Sequence, residues 1–135
     1  MRRTMWITVA LTVTLSFAAT VGAQQQGSGT WRQLGDTTAS FLSDHDMVIV
    51  QPPYDNFHRI KFRVADGPLT LVRVVALYDD GEPDRVDLRE RIQPRGESRA
   101  ITLETAGKRN LRKVEFWYEA ASARGSVRVT VFGKK

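Results

Sequence analysis

The sequence has no cysteine among its 135 residues. This absence excludes a disulfide framework, thiolate-bound zinc, iron–sulfur clusters, a cysteine nucleophile and a lipid-modified cysteine anchor. Imidazole is also scarce, because His45 and His58 are the only histidines. No serine stands in a Gly-x-Ser-x-Gly setting or another recognised nucleophile motif. We therefore predict no catalytic residues and no cofactor, and the sequence favours a protein that is not an enzyme.

Helical periodicity is also missing, because no window of useful length after residue 30 repeats its apolar residues every 3.6 positions. Several runs instead alternate apolar and polar residues with the period of two that a half-buried strand requires. The apolar members of two such runs are predicted to face a core: Ile60, Phe62 and Val64; and Val114, Phe116 and Tyr118. Leu71, in the more continuously apolar run 69–78, is predicted to face it as well. The interleaved Lys61 and Lys113 are predicted to lie on outer faces.

Turns rich in glycine, proline and aspartate separate these runs. The predicted strands cover residues 31–35, 37–42, 47–51, 59–64, 69–78, 85–92, 99–103, 111–119 and 127–132. The pattern predicts an all-β fold, a single antiparallel β-sandwich of about seven to nine short strands over residues 31–135, either jelly-roll-like or immunoglobulin-like. Strand 69–78 is expected in the middle of a sheet, and the charged strands 59–63 and 85–92 at sheet edges.

The N-terminal segment has the layout of a secretory signal. Arg2 and Arg3 precede an uncharged, mostly apolar run over residues 5–19, and small residues follow at Val21, Gly22 and Ala23. The run is shorter than the roughly 20 apolar residues of a membrane-spanning helix. We predict a cleaved signal peptide over residues 1–23, a flexible lead-in over residues 24–30, and a mature protein of the periplasm or the cell exterior that does not span the membrane.

Charge is unevenly distributed along the chain. Residues 24–84 contain 5 basic and 9 acidic residues, whereas residues 85–135 contain 13 basic and 6 acidic residues. A basic surface on an exported protein favours an anionic lipid head group, a glycan or an acidic envelope protein as partner. Solvated strand faces are the simpler interpretation of the same charges. Export and the lack of a basic helix argue against nucleic acid.

Two acidic segments are candidates for a metal site. Asp44 and Asp46 flank His45 before an apolar strand, and Asp79 and Asp80 stand in an acidic turn. Calcium prefers about six to eight oxygen ligands, so it would need both segments together. Aspartates that cap their own turns explain the same residues without a metal. We expect no metal site.

Aromatic side chains could form a platform for sugar stacking. The candidates are Trp31, Phe57, Tyr78, Phe116, Trp117 and Tyr118. Alternation places Phe116 and Trp117 on opposite sides of one strand, so the whole set cannot share one face. Core packing is the favoured interpretation of most of them.

The sequence resembles a family of small secreted bacterial proteins of unknown function. The most specific features are a Trp-x-x-Leu-Gly opening at residues 31–35 and a Val-x-Phe-x-Tyr ending at residues 114–118. The resemblance implies an all-β exported domain and supplies no activity, cofactor or catalytic residue. The leading hypothesis is a non-catalytic binding or structural module of the bacterial cell envelope. The alternatives are a small envelope hydrolase and a calcium-dependent, lectin-like glycan-binding domain.

Overall fold

A computed structural model of the protein describes residues 30–120 and 125–135. The predicted signal peptide, residues 1–23, and all but the last residue of the predicted lead-in, residues 24–30, lie outside the described residues. The described part of the chain contains eight strands and no helix: β1 (Arg32–Ser40), β2 (His45–Ile49), β3 (Arg59–Ala65), β4 (Leu69–Tyr78), β5 (Asp84–Ile92), β6 (Ile101–Thr102), β7 (Leu111–Ala120) and β8 (Ser126–Lys134).

The strands form two four-stranded antiparallel sheets, with the orders β1-β8-β3-β6 and β2-β7-β4-β5. The all-β prediction and the antiparallel β-sandwich are thereby confirmed. β4 has the predicted bounds and lies between β7 and β5, in the interior of its sheet as expected. Its continuous apolar run fits this place, because an interior strand has neighbours on both sides and few positions open to water.

Some strand bounds differ from the predictions. The two strands predicted over residues 31–35 and 37–42 are one strand, β1, with a bulge between Gln33 and Gly35. A side chain at Gly35 would bring its Cβ within 2.8 Å of the Ile49 carbonyl oxygen, so glycine lets β1 pass close to β2. The strand predicted over residues 99–103 is reduced to Ile101–Thr102.

The edge predictions had mixed outcomes. β5 ends its sheet, so the charged strand 85–92 is an edge strand as predicted. The prediction for residues 59–63 is wrong, because β3 pairs with β8 on one side and is covered on the other by residues 96–102. Ser98 makes this cover possible: its backbone N–H donates to the Phe62 carbonyl oxygen at 2.8 Å, and its Oγ accepts from the Phe62 N–H at 2.9 Å.

The core lies between the two sheets. All seven side chains predicted to face it are buried, and Phe62 of one sheet meets Phe116 of the other edge to face, with ring centroids 5.5 Å apart. Lys113 is exposed as expected. Lys61 also lies on an outer face, but its side chain is only 18% exposed because other side chains cover it. The residues that cover Lys61 define the candidate site.

Candidate functional site: a cationic face

The outer side of β3 and β8 gathers positive charge around two aromatic rings. In each strand the outer side chains alternate with buried ones, so residues two apart share a face. β8 pairs with both β1 and β3, which places the residue before β1 beside the same surface. We call this surface the cationic face and define it by six residues: Trp31, Arg59, Lys61, Arg63, Phe132 and Lys134.

The two rings hold three of the four cations. Lys61 Nζ lies 4.5 Å from the centroid of the Trp31 ring, and Lys134 Nζ lies 5.6 Å from the same centroid. The Arg63 guanidinium carbon lies 4.6 Å from the centroid of Phe132. Cation–π attraction of this kind orders long, flexible side chains. Each ring thus has a cation over it, which would compete with a sugar for that ring face.

Among the described residues, one acid pairs with these cations. Glu97 Oε1 accepts from Lys61 Nζ at 3.3 Å, and Glu97 Oε2 accepts from Arg63 Nη2 at 2.8 Å and from Nε at 3.2 Å. The hydrogen bonds from Arg63 are the main reason that the pKa of Glu97 is lowered from its ordinary value. The surface therefore already binds one carboxylate, which belongs to the protein itself.

Arg59 and Lys134 are left without an acid. They are direct register partners across the β3–β8 ladder, and neither has an acidic group within ion-pair distance among residues 30–120 and 125–135. Like charges directly opposite each other destabilise an antiparallel pair. The two residues therefore leave positive charge on this face that the described part of the protein does not neutralise.

The outer side of the other sheet, formed by β7, β4 and β5, has its charges largely matched. Arg73 and Arg85 share Asp87, and Arg89 pairs with Glu119. The hydrogen bond from Arg73 is the main cause of the lowered pKa of Asp87. We call this surface the balanced face and define it by Arg73, Arg85, Asp87, Arg89 and Glu119.

The candidate metal ligands are not brought together. Asp46 lies opposite Phe116 on β7, whereas Asp79 and Asp80 follow Tyr78, which lies opposite Leu111. Five positions along a strand separate the two acidic segments by about 17 Å. In the part of the chain that the structure describes, no group of three or more histidine, aspartate or glutamate side chains is placed to hold a metal ion.

Among the described residues, hydrogen bonds use the carboxylates of Asp46 and Asp79, but only the backbone carbonyl oxygens of Asp44 and Asp80. The Tyr118 hydroxyl donates to Asp46 Oδ2 at 2.7 Å, and burial together with this bond raises the pKa of Tyr118. Asp79 Oδ2 accepts from Asn110 Nδ2 at 3.2 Å, and the Asp80 carbonyl oxygen accepts from Arg109. The side chain of Asp44 is exposed. The partners of the two bonded carboxylates are distant in the chain, so these bonds join neighbouring strands and loops and do not cap the aspartates' own turns.

A buried carboxylate that sequence reasoning missed belongs to Asp84, the first residue of β5. Asp84 accepts from the Tyr78 hydroxyl at 2.5 Å and from Thr105, through its Oγ1 at 2.8 Å and its backbone N–H at 3.1 Å. Burial, with Asp84 as a second cause, raises the pKa of Tyr78 well above its ordinary value. This network fastens the loop before β7 to the β4–β5 turn, and Asp84 itself is buried.

The two histidines are held in different surroundings. His45 stacks on Trp117 with ring centroids 4.3 Å apart, and its Nε2 is 3.8 Å from Glu115, beyond hydrogen-bond distance. His58 Nε2 lies 2.9 Å from the carbonyl oxygen of Gly107. The hydrogen bonds of the described residues join neither imidazole to a carboxylate and a hydroxyl, which is the arrangement that an activated nucleophile requires.

The family model described as Domain of unknown function (DUF2541) matches residues 7–133. The chain belongs to this family. No curated protein and no solved structure matches the chain. The match agrees with the resemblance to a family of unknown function, and it assigns no activity to any residue of this DUF2541 chain.

The aromatic residues of this DUF2541 domain divide between core and surface. Phe57, Phe116 and Tyr118 are buried, as core packing predicts, and Tyr78 is half-buried against Arg109. Trp31 and Trp117 lie on outer faces of different sheets, so no common platform forms. Within the described ranges, no helix is long and apolar enough to cross a membrane.

Sequence reasoning did not single out Arg59, Glu97, Phe132 or Lys134 as a group. Alternation alone places Phe132 opposite the buried valines of β8, which is a signal for its outer position. The pairing of Arg59 with Lys134 depends on β3 lying beside β8, and no local pattern in the sequence fixes that order.

Proposed function

We propose that the chain is an exported, non-catalytic binding module of the bacterial cell envelope that holds an anionic envelope component on its cationic face. The observation that supports this most directly is the like-charge pair of Arg59 and Lys134 beside Lys61 and Arg63, with Glu97 as the one paired acid. Residues that break a local stabilising rule concentrate at functional sites. A bound anion would remove the repulsion that the free protein retains.

Export is part of the proposal. The two N-terminal arginines, the apolar run and the small residues ending at Ala23 favour cleavage there and delivery to the periplasm or the exterior. In either compartment the protein meets anionic lipids, acidic glycans and acidic proteins of the envelope. All three can attract a surface that carries an excess of positive charge.

The hydrolase and calcium-lectin alternatives receive less support from the geometry. A hydrolase needs a histidine in reach of both a carboxylate and a hydroxyl, and the contacts described for His45 and His58 do not provide this. A calcium lectin needs several convergent oxygen ligands, and the two acidic segments lie at opposite ends of a sheet. The cationic face needs neither a metal nor a nucleophile to bind an anion.

The proposal is tested by expressing the full chain in a bacterium and following where it goes. We expect a product that begins at Gln24, recovered outside the cytoplasm by fractionation and identified by N-terminal sequencing. This product should sediment with isolated cell envelopes at low ionic strength and be released as salt is added, because salt screens exposed charges. Retention of Met1 in the membrane fraction, or no sedimentation with envelopes at low salt, would overturn the proposal.

A further inference from the structure

We infer that the ligand of the cationic face is an extended polyanionic glycan, a polysaccharide chain with carboxylate or phosphate groups repeated along it. This inference rests on the proposed function, because it names the anion that the face would bind. The protein could bind the envelope through another anion, in which case the glycan inference would fail and the proposed function would hold.

The first support is the linear arrangement of the cations. Arg59, Lys61 and Arg63 occupy alternate positions of β3, so their Cα atoms follow the strand at intervals of about 7 Å. Lys134 extends the stripe sideways onto β8, about 5 Å away. Lys61 and Arg63 share Glu97, but the three Cα atoms span about 14 Å of the strand. Charges spread over this length complement a chain of anions better than a single small ion.

The second support is the carboxylate already bound at this surface. Arg63 donates two hydrogen bonds to Glu97, through Nη2 at 2.8 Å and Nε at 3.2 Å, while Lys61 donates a third. Both Arg63 bonds end on Oε2 and the Lys61 bond ends on Oε1. Charge-assisted hydrogen bonds of this kind suit the oxygens of carboxylate and phosphate groups. Glu97 thus acts as an internal competitor, and an acidic chain can engage Arg59 and Lys134 directly and compete with Glu97 for its two partners.

The third support is the position of the exposed apolar side chains, which favours a glycan over a lipid surface. Membrane-surface binding usually combines cations with exposed apolar side chains that enter the headgroup region. The large exposed apolar side chains of the described residues are Phe41, Leu42, Met47, Ile49 and Tyr54, and none belongs to the cationic face. The two rings that do belong to it are half-buried, and each has a lysine or arginine side chain over it. An anionic chain in water therefore fits this face better than a bilayer.

The experiment measures binding of the secreted protein to defined probes at low ionic strength by isothermal titration calorimetry. Polygalacturonate is the polyanionic chain, monomeric galacturonate tests the need for an extended chain, and dextran is the neutral polymer. Vesicles of equal parts phosphatidylglycerol and phosphatidylcholine represent the lipid source. We expect salt-dependent binding to polygalacturonate that exceeds binding to the monomer and to the vesicles, and no binding to dextran.

Variants locate the binding on the molecule. The double variant Arg59→Gln/Lys134→Gln should weaken polygalacturonate binding by about tenfold. The matched control Arg91→Gln/Lys113→Gln removes the same charge from two exposed positions of the other sheet and should change binding by less than about twofold. Glu97→Gln removes the internal competitor and should strengthen binding by about threefold. Thermal melting of each variant checks that it remains folded.

Three outcomes would overturn the inference. Equal losses in the two double variants would mean a general attraction to net charge and no defined face. Binding to vesicles but not to polygalacturonate would assign the face to lipid and leave the proposed envelope function in place. Envelope sedimentation that persists unchanged in Arg59→Gln/Lys134→Gln would show that the envelope is bound elsewhere on the protein.

Discussion

The cationic face and the balanced face are built from similar residues, but they arrange their charges differently. Each is the outer side of a four-stranded antiparallel sheet, and each has a tryptophan within 6 Å of a cation. On the balanced face, Asp87 lies between Arg73 and Arg85, and Glu119 pairs with Arg89. On the cationic face, Arg59 lies opposite Lys134.

The difference lies in the spacing of unmatched charges more than in their number. The other sheet also has three exposed cations with no ion pair among the described residues: Arg91, Arg112 and Lys113. Arg112 lies over the Tyr54 ring, and it precedes Lys113 in β7, where consecutive residues point to opposite sides of the strand. Arg91 lies beside Thr70 and Lys113 beside Leu77, near opposite ends of β4. They are therefore about 20 Å apart along the strand, and their fields do not add as those of register partners do. The proposed binding therefore rests on two unmatched cations that are register partners on one face, Arg59 and Lys134.

The largest change in stability is expected in the core. The two faces are outer faces only if Phe116 and Phe62 pack between the sheets, so a core substitution tests the comparison first. Phe116→Ala should lower the free energy of unfolding by about 3 to 5 kcal/mol, through lost transfer energy and a cavity. The matched control is Phe132→Ala, which removes the same atoms from the half-buried ring of the cationic face. Urea titration should show a loss of less than half that size for the control, and equal losses would refute the assignment of inner and outer sides.

The next largest difference in stability is expected between two lysine variants. Alternation alone predicts the same outer position for both lysines. Lys61 is 18% exposed at its side chain and contacts Glu97 and the Trp31 ring, whereas Lys113 is exposed. Lys61→Ala should cost about 1 kcal/mol from the lost ion pair and ring contact. Lys113→Ala should change stability by less than about 0.5 kcal/mol. Indistinguishable urea midpoints for the two variants would mean that the rings of the cationic face do not hold its cations.

These two comparisons show how far the sequence could predict the molecule. Period-two alternation identified the inner residues of β3 and β7 because burial on one side of a strand constrains every second residue. It could not distinguish Lys61 from Lys113, because the cover over Lys61 comes from Trp31 and Glu97, which are distant in the chain. Strand order is the missing information: residues 59–63 were predicted at an edge, and their contact with β8 and residues 96–102 creates the site.

The smallest expected change in the free energy of unfolding is also the most specific. The same substitution, arginine to glutamate, should change it in opposite directions on the two faces. Arg59→Glu places a carboxylate opposite Lys134 and should raise the free energy of unfolding by about 0.5 kcal/mol. Arg89→Glu makes the same change in net charge, but it puts a carboxylate where Arg89 now donates to Glu119 at 2.8 and 3.1 Å, so it should lower stability. Urea titrations at low ionic strength measure both, and added salt should shrink the difference. If Arg59→Glu stabilises the protein while weakening polygalacturonate binding, the like-charge pair is retained for binding at the expense of stability. Changes of the same sign in both variants would instead trace the effect to net charge, and the contrast between the faces would fail.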